Sequence, residues 1–448
     1  MGIHVSSRRW AVMATALALL SQNESWAHGF GKKKQDCETC PTVIQDGSSA
    51  LMPTPTDGSS SSTIPSTPAM TIDTSDSISD ALAGQYDVAS GSGFAAPNMV
   101  GDFFGTGGTS LIALGSEGVG YDSFGNVTGY NRDTPGLPAG ASPGTGGTVG
   151  RVKFSDNTSI VPTDRVYFGY QFFDNTRLSP GGTDVSRFVP GFEKTFFGGK
   201  TSVEVRIPFA STLDSTQQVG AIGGTNTELG NVTLFFKSLL YTTNNWAVGA
   251  GLTVTTPTAD DTVIRQGSSE LIRIKNQGTH LAPYLGVVYS KCRLFSQLYM
   301  QYDVDATGRD VFLRNSSNQF LRAGSLSDES VFFVDWNVGY WIYRNTNSDS
   351  LLTGIAPVFE IHYNQGLGNS DWVANDARIV GSTQSQFSII NLTAGSHFLL
   401  GQRSMLTLAA VVPVTDGARG RQFDFEFQVL FNYVFGKTNQ FNRLPSLF

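Results

Sequence analysis

The sequence predicts an all-β fold: a closed antiparallel transmembrane β-barrel of about twelve strands, fourteen being the alternative count, behind a disordered N-terminal linker. Three observations predict it. From Asp164 onward, segments of roughly 8 to 14 residues alternate apolar and polar side chains, the strand period of two. Short and long links join these segments in turn. No stretch beyond the N-terminus approaches about 18 uninterrupted apolar residues, so any bilayer crossing rests on strands.

Residues 1–27 read as a cleavable export signal. Arg8 and Arg9 supply positive charge, Ala11 to Leu20 an apolar run too short to span a bilayer, and Ser25-Trp26-Ala27 a cleavage site. Ser7-Arg8-Arg9-Trp10 also resembles a twin-arginine signal, and a general secretory signal with two arginines is the plainer reading. Composition suits an exported strand protein. Charged residues make up 15%, against about a quarter in ordinary soluble domains, and glycine is abundant at 50 residues. The net charge of −7 and the lack of a concentrated basic face argue against a nucleic-acid partner.

Residues 28–98 read as a flexible Ser/Thr/Pro-rich linker that cannot bury enough apolar surface to fold. Cys37 and Cys40 within it form a CxxC followed by Pro41. Without a following His it is no haem attachment site, and without a second pair it is no zinc site, so a local disulfide is expected. No metal and no cofactor are expected. Residues 99–160 are Gly-rich and read as a plug or a periplasmic segment, with loosely attached strands as a third option.

The barrel is placed at 161–437, with residues 438–448 as a tail. Its twelve strands are expected to begin near Arg165, Val185, Lys200, Gly230, Trp246, His280, Arg293, Val331, Leu352, Gln386, Ser404 and Gln422. In Ser202 to Phe209, Val203, Val205, Ile207 and Phe209 share one face, and Glu204 and Arg206 the other. In the last strand Phe423, Phe425, Phe427, Val429, Phe431, Tyr433 and Phe435 form one apolar row, opposite Asp424, Glu426, Gln428 and Asn432. So long a row needs an apolar partner along its whole length, and lipid supplies one.

Links after the strands at Val185, Gly230, His280, Val331 and Gln386 read as short. Those after Arg165, Lys200, Trp246, Arg293 and Leu352 read as long, and TDGARGR is intermediate. Short turns on one side and long loops on the other is the asymmetry of an outer-membrane barrel. Pro208, Pro283 and Pro357 each lack a ladder donor and are expected at strand ends, bulges or the rim.

The segment Gln428 to Phe435 resembles the signal by which outer-membrane barrels are recognised for insertion. Gln428, Tyr433 and Phe435 match it, whereas Leu430 stands where glycine is usual. GFEKTFFGGKTSVEVRIPFA and VGAGLTVTTPTADD are similar to strand–turn–strand blocks of uncharacterised bacterial outer-membrane barrels of the porin or transporter type. The resemblance implies an outer-membrane location, lipid and the barrel-assembly machinery as partners, and no catalytic residues.

With the apolar rows facing lipid, Arg165, Glu204, Arg206, Lys237, Asp303, Asp335, Glu360, His362, His397, Asp424 and Glu426 are expected to line the lumen. Carboxylates in excess favour cations, and pairing across the lumen is the structural alternative. Glu360 and His362 share a face, but no nucleophile motif accompanies them, so an enzyme is not expected. Asp260-Asp261 and Asn369 to Asp376 read as solvated loops, and the aromatics of Tyr167 to Phe173 and Trp336 to Tyr343 as membrane-interface girdles. The expected function is a porin-like channel or facilitated transporter for small solutes. The alternatives are a non-conducting structural or surface-interaction barrel and an outer-membrane lipid hydrolase, and a soluble exported β-sandwich is a further fold alternative.

Overall fold

A computed structural model describes residues 96–105, 151–176, 183–211, 215–218, 226–243, 245–345, 350–368, 371–381, 386–401, 403–415 and 421–435, and the backbone of 119–121 and 127–130. The expected signal, the linker up to residue 95, the Cys37–Cys40 pair and the 438–448 tail lie outside the described residues; residues 96–98, read as the end of the linker, sit inside the ring.

Twelve strands form the ring: β1 Arg165–Thr176, β2 Thr183–Phe196, β3 Thr201–Arg206, β4 Thr233–Thr242, β5 Trp246–Thr255, β6 His280–Lys291, β7 Leu294–Asp305, β8 Val331–Tyr340, β9 Leu352–Gly366, β10 Ser388–Leu400, β11 Ser404–Pro413 and β12 Phe425–Val434. Each pairs antiparallel with its sequence neighbours, and β12 closes on β1 from Phe425↔Asp174 to Val434↔Arg165. Every strand starts at or within three residues of the position read from the sequence.

The alternation sorts the side chains. In β12, Glu426, Gln428, Leu430 and Asn432 are buried inside, while Phe427, Phe431 and Tyr433 stand outside, each more than a third exposed. Phe168, Phe192, Phe236, Leu285, Leu298, Met300, Trp336 and Phe359 continue the outer apolar band around the ring. Charged side chains on the outer face sit at strand ends, as Asp184, Lys194 and Lys291 do. Phe196, Tyr241, Trp246, Tyr340, Tyr343 and Tyr433 gather near the short-turn end, where amphipathic rings suit a membrane interface.

The prolines fall where the ladder is interrupted. Pro208 separates β3 from its short continuation Phe209–Ser211. At Pro283, β6 keeps its pairing to β5 but skips β7 between Leu281↔Val304 and Tyr284↔Gln301. Pro357 lies where β9 passes beyond its pairing with β8.

Four features differ from the sequence reading. The link after β1 is only six residues, 177–182. Phe423 is fully buried among Phe104, Phe173, Val185, Ala210 and Val411, because bends at Gln422 and Asp424 break the alternation before β12 begins. Tyr167, Phe173 and Trp341 also point inward, so the aromatic stretches are split between the two faces. Finally, the loops are not merely solvated. Thr216–Gln218, Thr262–Gln266, Ser269–Ile274, Arg309–Arg314 and Phe320–Leu326 form a second sheet beyond the long-loop rim. Its core is Ile264, Leu271, Ile272, Val311 and Leu313, with Val373 and Val380 from the loop after β9. Asp261 belongs to this sheet, accepting from Lys275 Nζ at 2.7 Å and from the Asn276 N–H at 3.0 Å. Burial pushes its carboxyl up, but these donors hold it below the usual carboxylate range.

Two outcomes follow. Leu285→Arg, at the middle of the outer band, should cost on the order of 2–4 kcal/mol of barrel stability, read as a fall in denaturant midpoint in bilayers. A carboxyl depressed in the fold contributes stability above its unfolded value and loses it as pH falls through the folded one. Hydrogen exchange in 262–274 should therefore quicken below about pH 4, and Asp261→Asn should flatten that dependence.

Candidate functional site

The interior of the ring is occupied by the chain itself. Residues 96–105 and 151–164 lie inside, nearly all of them buried. They pair with each other through Met99 N–H to Thr158 O (2.9 Å) and Asn157 N–H to Val100 O (3.2 Å). Gly101 sits at φ +90°, and a Cβ there would fall 2.1 Å from Asp156 Oδ1, so only glycine fits between the two limbs. On the wall, Gly286 clears the space for Ile160, whose Cγ2 would lie 2.5 Å from an added Cβ.

The wall is electrostatically divided. On β1–β4 the inward charges are Arg165, Arg187, Arg206 and Lys237 against Glu193 and Glu204. Arg165 bridges Glu193 (2.8 Å) and Glu204 (3.0 Å). Lys237 bridges the same two at 2.9 and 2.6 Å, and Arg206 binds Glu204 at 2.8 Å. On β7–β9 the inward charges are Asp303, Asp335 and Glu360, beside His362.

The inner segment is keyed to this division. Its cations face the acidic wall: Arg151 meets Asp303 at 2.7 Å, and Lys153 meets Asp335 at 2.6 Å while also pairing with Asp102. Its Asp156 faces the basic wall, 3.9 Å from Arg187. Glu360 accepts the Val100 and Gly101 N–H groups at 2.9 and 3.0 Å. Asp102 accepts from Asn364 and Asn391 at 2.9 and 2.7 Å. Gln428, read from the sequence as part of an insertion signal, donates to Gly101 O at 3.0 Å. Phe154 stacks on Tyr284, with ring centroids 3.8 Å apart.

The sequence-predicted residues therefore divide as follows. Arg165, Glu204, Arg206, Lys237, Asp303, Asp335, Glu360, His362, His397 and Glu426 are buried inside the ring. Asp424 is not among them: it stands at the rim before β12, accepting from Asn175 at 2.9 Å. Tyr433 lies on the outer face. Phe435 follows β12 and stacks on Phe192, with centroids 5.5 Å apart. Leu430 packs inward against Gly169. Arg187 and Glu193 were missed, although the alternation Val185, Arg187, Val189 along β2 carried the signal.

One constellation had no signal in the sequence. Thr393 Oγ1 lies 3.1 Å from His362 Nε2, and His362 Nδ1 lies 2.8 Å from Asp335. The order hydroxyl, imidazole, carboxylate is that of a nucleophile with its base. Here all three are buried, Lys153 is bound to Asp335, and Glu360 approaches Nε2 at 3.2 Å, leaving no place for an acyl group. The Asp102, Asp335 and His362 donors also lie close enough together to hold a metal ion, but the Lys153 ammonium pairs with both carboxylates.

No family model matches the chain, and no curated protein matches it. Among solved structures it is similar to an outer membrane channel from Pseudomonas putida F1, with 12% identity, 64% of this chain and 100% of that chain covered and a TM-score of 0.42. The NanC porin is 10% identical over 61% of this chain and 100% of its own, at 0.34. The toluene transporter TodX of Pseudomonas putida is 7% identical over 75% and 99%, also at 0.34.

Lys153→Met should leave Asp102 and Asp335 buried without their cation, weakening the seating of the inner segment by on the order of 3–5 kcal/mol. Limited proteolysis at 96–105 and 151–164 reads the loss, and adding Asp335→Asn should recover part of it.

Proposed function

We propose that this protein is an outer-membrane channel or facilitated transporter for small solutes, whose lumen is held shut by its own inner segment until that segment shifts. One observation carries the reading: the ring is filled by a separate stretch of chain docked through ion pairs and hydrogen bonds beside its apolar contacts. A lumen meant to stay closed is more cheaply filled with apolar side chains, because burying a charge costs several kcal/mol even when it is paired. Charges that line a water-filled path when the segment moves recover that hydration. The wall carries Glu193, Glu204, Asp303, Asp335, Glu360 and Glu426 against Arg165, Arg187, Arg206 and Lys237, which favours cations once the path is wet.

The closed outer band without charges between its ends supports seating in a membrane, and the export signal read at residues 1–27, with short turns on one side of the ring, supports the outer one. We read no catalysis into the Thr393–His362–Asp335 arrangement, which serves as hydrogen-bonded structure. The second reading is a non-conducting barrel braced by its interior, favoured by the complete burial of Glu360, His362 and Thr393.

Planar-bilayer recording separates the two. The full chain is expected to stay mostly closed, and a variant lacking 96–160 to give sustained steps with a cation-leaning reversal potential. Asp335→Asn with Glu360→Gln in that variant should move the potential toward zero. A folded, deleted barrel that passes no current would leave the bracing role.

A further inference from the structure

A run of side chains of alternating charge joins the inner segment to the sheet beyond the rim. It begins at Arg151, whose Nε lies 2.7 Å from Asp303 Oδ2 on β7. The other Asp303 oxygen lies 2.9 Å from Nδ1 of His280, the first residue of β6. His280 Nε2 lies 3.0 Å from Oδ2 of Asp328, in the loop before β8. The same Asp328 oxygen accepts from Arg309 at 2.6 Å. Arg309 opens the strand Arg309–Arg314, which pairs with Ser269–Ile274 and Phe320–Leu326 in the outer sheet. None of the five side chains is more than 7% exposed.

The geometry fixes the state of the middle member. Each ring nitrogen of His280 faces a carboxylate oxygen, and a neutral imidazole has only one N–H to offer. Arg151 on Asp303 and Arg309 on Asp328 keep both carboxylates charged, so His280 carries both protons and is an imidazolium. Backbone groups brace the junction. Asp305, the last residue of β7, accepts from the Thr307 and Gly308 N–H groups (3.1 and 2.9 Å), forming the turn that delivers Arg309, and from the Asp328 N–H (3.1 Å). Arg151 also donates to the carbonyl of Glu329 at 3.2 Å. The donors of His280, Asp305 and Asp328 lie close enough together to hold a metal ion, but the Arg309 guanidinium already holds Asp328 there.

We propose that this line is an allosteric link: a molecule that displaces the outer sheet at Arg309 unseats the inner segment at Arg151, and unseating the segment loosens the sheet. Every joint in the line sets opposite charges together out of water, where their attraction is weakly screened. Losing one member leaves its neighbour buried without a counter-charge, which costs more than the pair was worth. The line therefore has two acceptable states. In one it is complete and dry. In the other Arg151 has left Asp303, water has entered, and His280 and Asp328 exchange partners for water. A ligand that favours one position of the sheet shifts this balance, and the coupling is reciprocal by thermodynamic necessity. The link goes beyond the channel reading, and it holds or fails whether or not the ring conducts.

Residue-resolved hydrogen exchange on the folded full chain in detergent tests it. On the segment the reporters are the Lys153 and Phe154 N–H groups, which donate to Asp156 (3.3 Å) and Gln301 (2.7 Å). On the sheet the reporter is the Lys275 N–H, which donates to Asp310 O at 2.9 Å. Arg309→Met should quicken exchange at Lys153 and Phe154 by on the order of 5- to 150-fold, the usual range of coupling between sites. Arg151→Met should quicken it at Lys275 by a similar factor. In a His280→Gln background Arg309→Met should have no further effect on the segment, and amides of β10 and β11 should be unchanged throughout. Unaltered exchange at Lys153 and Phe154 in Arg309→Met overturns the link, whatever Lys275 does. So does a full effect that persists without His280, which places the coupling elsewhere. Equal acceleration in β10 and β11 marks general loosening and overturns it too. If Arg309→Met does not fold, Asp328→Asn, which keeps the shape of the side chain and removes its charge, is read by the same criteria.

Discussion

The structure depends on one constraint: a strand in hydrocarbon must have both edges paired. Twelve strands meet it only because β12 pairs with β1 along ten residues, leaving no edge for lipid to face. Closure then dictates the rest. Each strand presents one face to lipid and one to the inside, so apolar and polar residues alternate, and whatever polar groups the inner face carries must be satisfied within the ring. The outer face is solved by Phe, Leu, Val and Tyr. The inner face poses the harder problem, because removing a wall of Arg, Lys, Asp and Glu from water is costly unless each charge finds a partner.

The inner segment solves much of that problem. Along β1–β4 the wall largely pairs with itself, through the cluster of Arg165, Glu193, Glu204, Arg206 and Lys237. Along β6–β9 the wall pairs with itself through His280 to Asp303 and His362 to Asp335, and Asp303, Asp335 and Glu360 take further donors from residues 100–101 and 151–153 of the segment. The acidic wall thus receives Arg and Lys partners only with the segment in place, whereas the basic wall has its carboxylate partners, Glu193 and Glu204, within the ring. Where the fit is poorest, polar atoms are left over. Among the described residues, both Glu426 oxygens, Arg187 Nη1 and Nη2 and Asp156 Oδ1 are buried with no hydrogen-bond partner, at the level where the segment's aspartate faces the basic wall at 3.9 Å. Such atoms cost free energy in a dry interior, and an ordered water shared among them is the usual remedy.

How much of this was legible follows from the range of each signal. Strand alternation is local, so the ring, its strand starts and the inward direction of Glu204, Arg206 or Glu426 could be read from a few neighbours. The sheet beyond the rim could not, since its strands are short and three separate loops contribute to it. The inner limbs are short, their apolar residues form no run long enough to read as an element, and many of their partners lie 150 to 330 residues away, as with Lys153 to Asp335 or Gln428 to Gly101. Thr393 gave no sign at all, because a small hydroxyl in a strand looks the same whether or not a histidine waits opposite. Phe423 misled because two bends shift the phase of the alternation, and a phase error of one residue reverses inside and outside.

The division of charge also bears on why the segment is docked by ions as well as by the apolar packing of Met99, Val100, Val152, Phe154 and Ile160 on the wall. A greasy plug would fit best with its surface dehydrated and would gain nothing by leaving a polar wall. A charged one has two acceptable states, paired when seated and hydrated when displaced, and the free-energy gap between them is a small difference of large terms. The wall likewise has two acceptable states, since its carboxylates can exchange the segment's donors for water. Apolar contacts such as Phe154 on Tyr284 and Phe103 beside Phe333 tilt this balance toward the seated state without altering the electrostatics. The fold thus assigns register to the ion pairs and bias to the aromatic contacts, the arrangement that the proposed closed-at-rest channel requires.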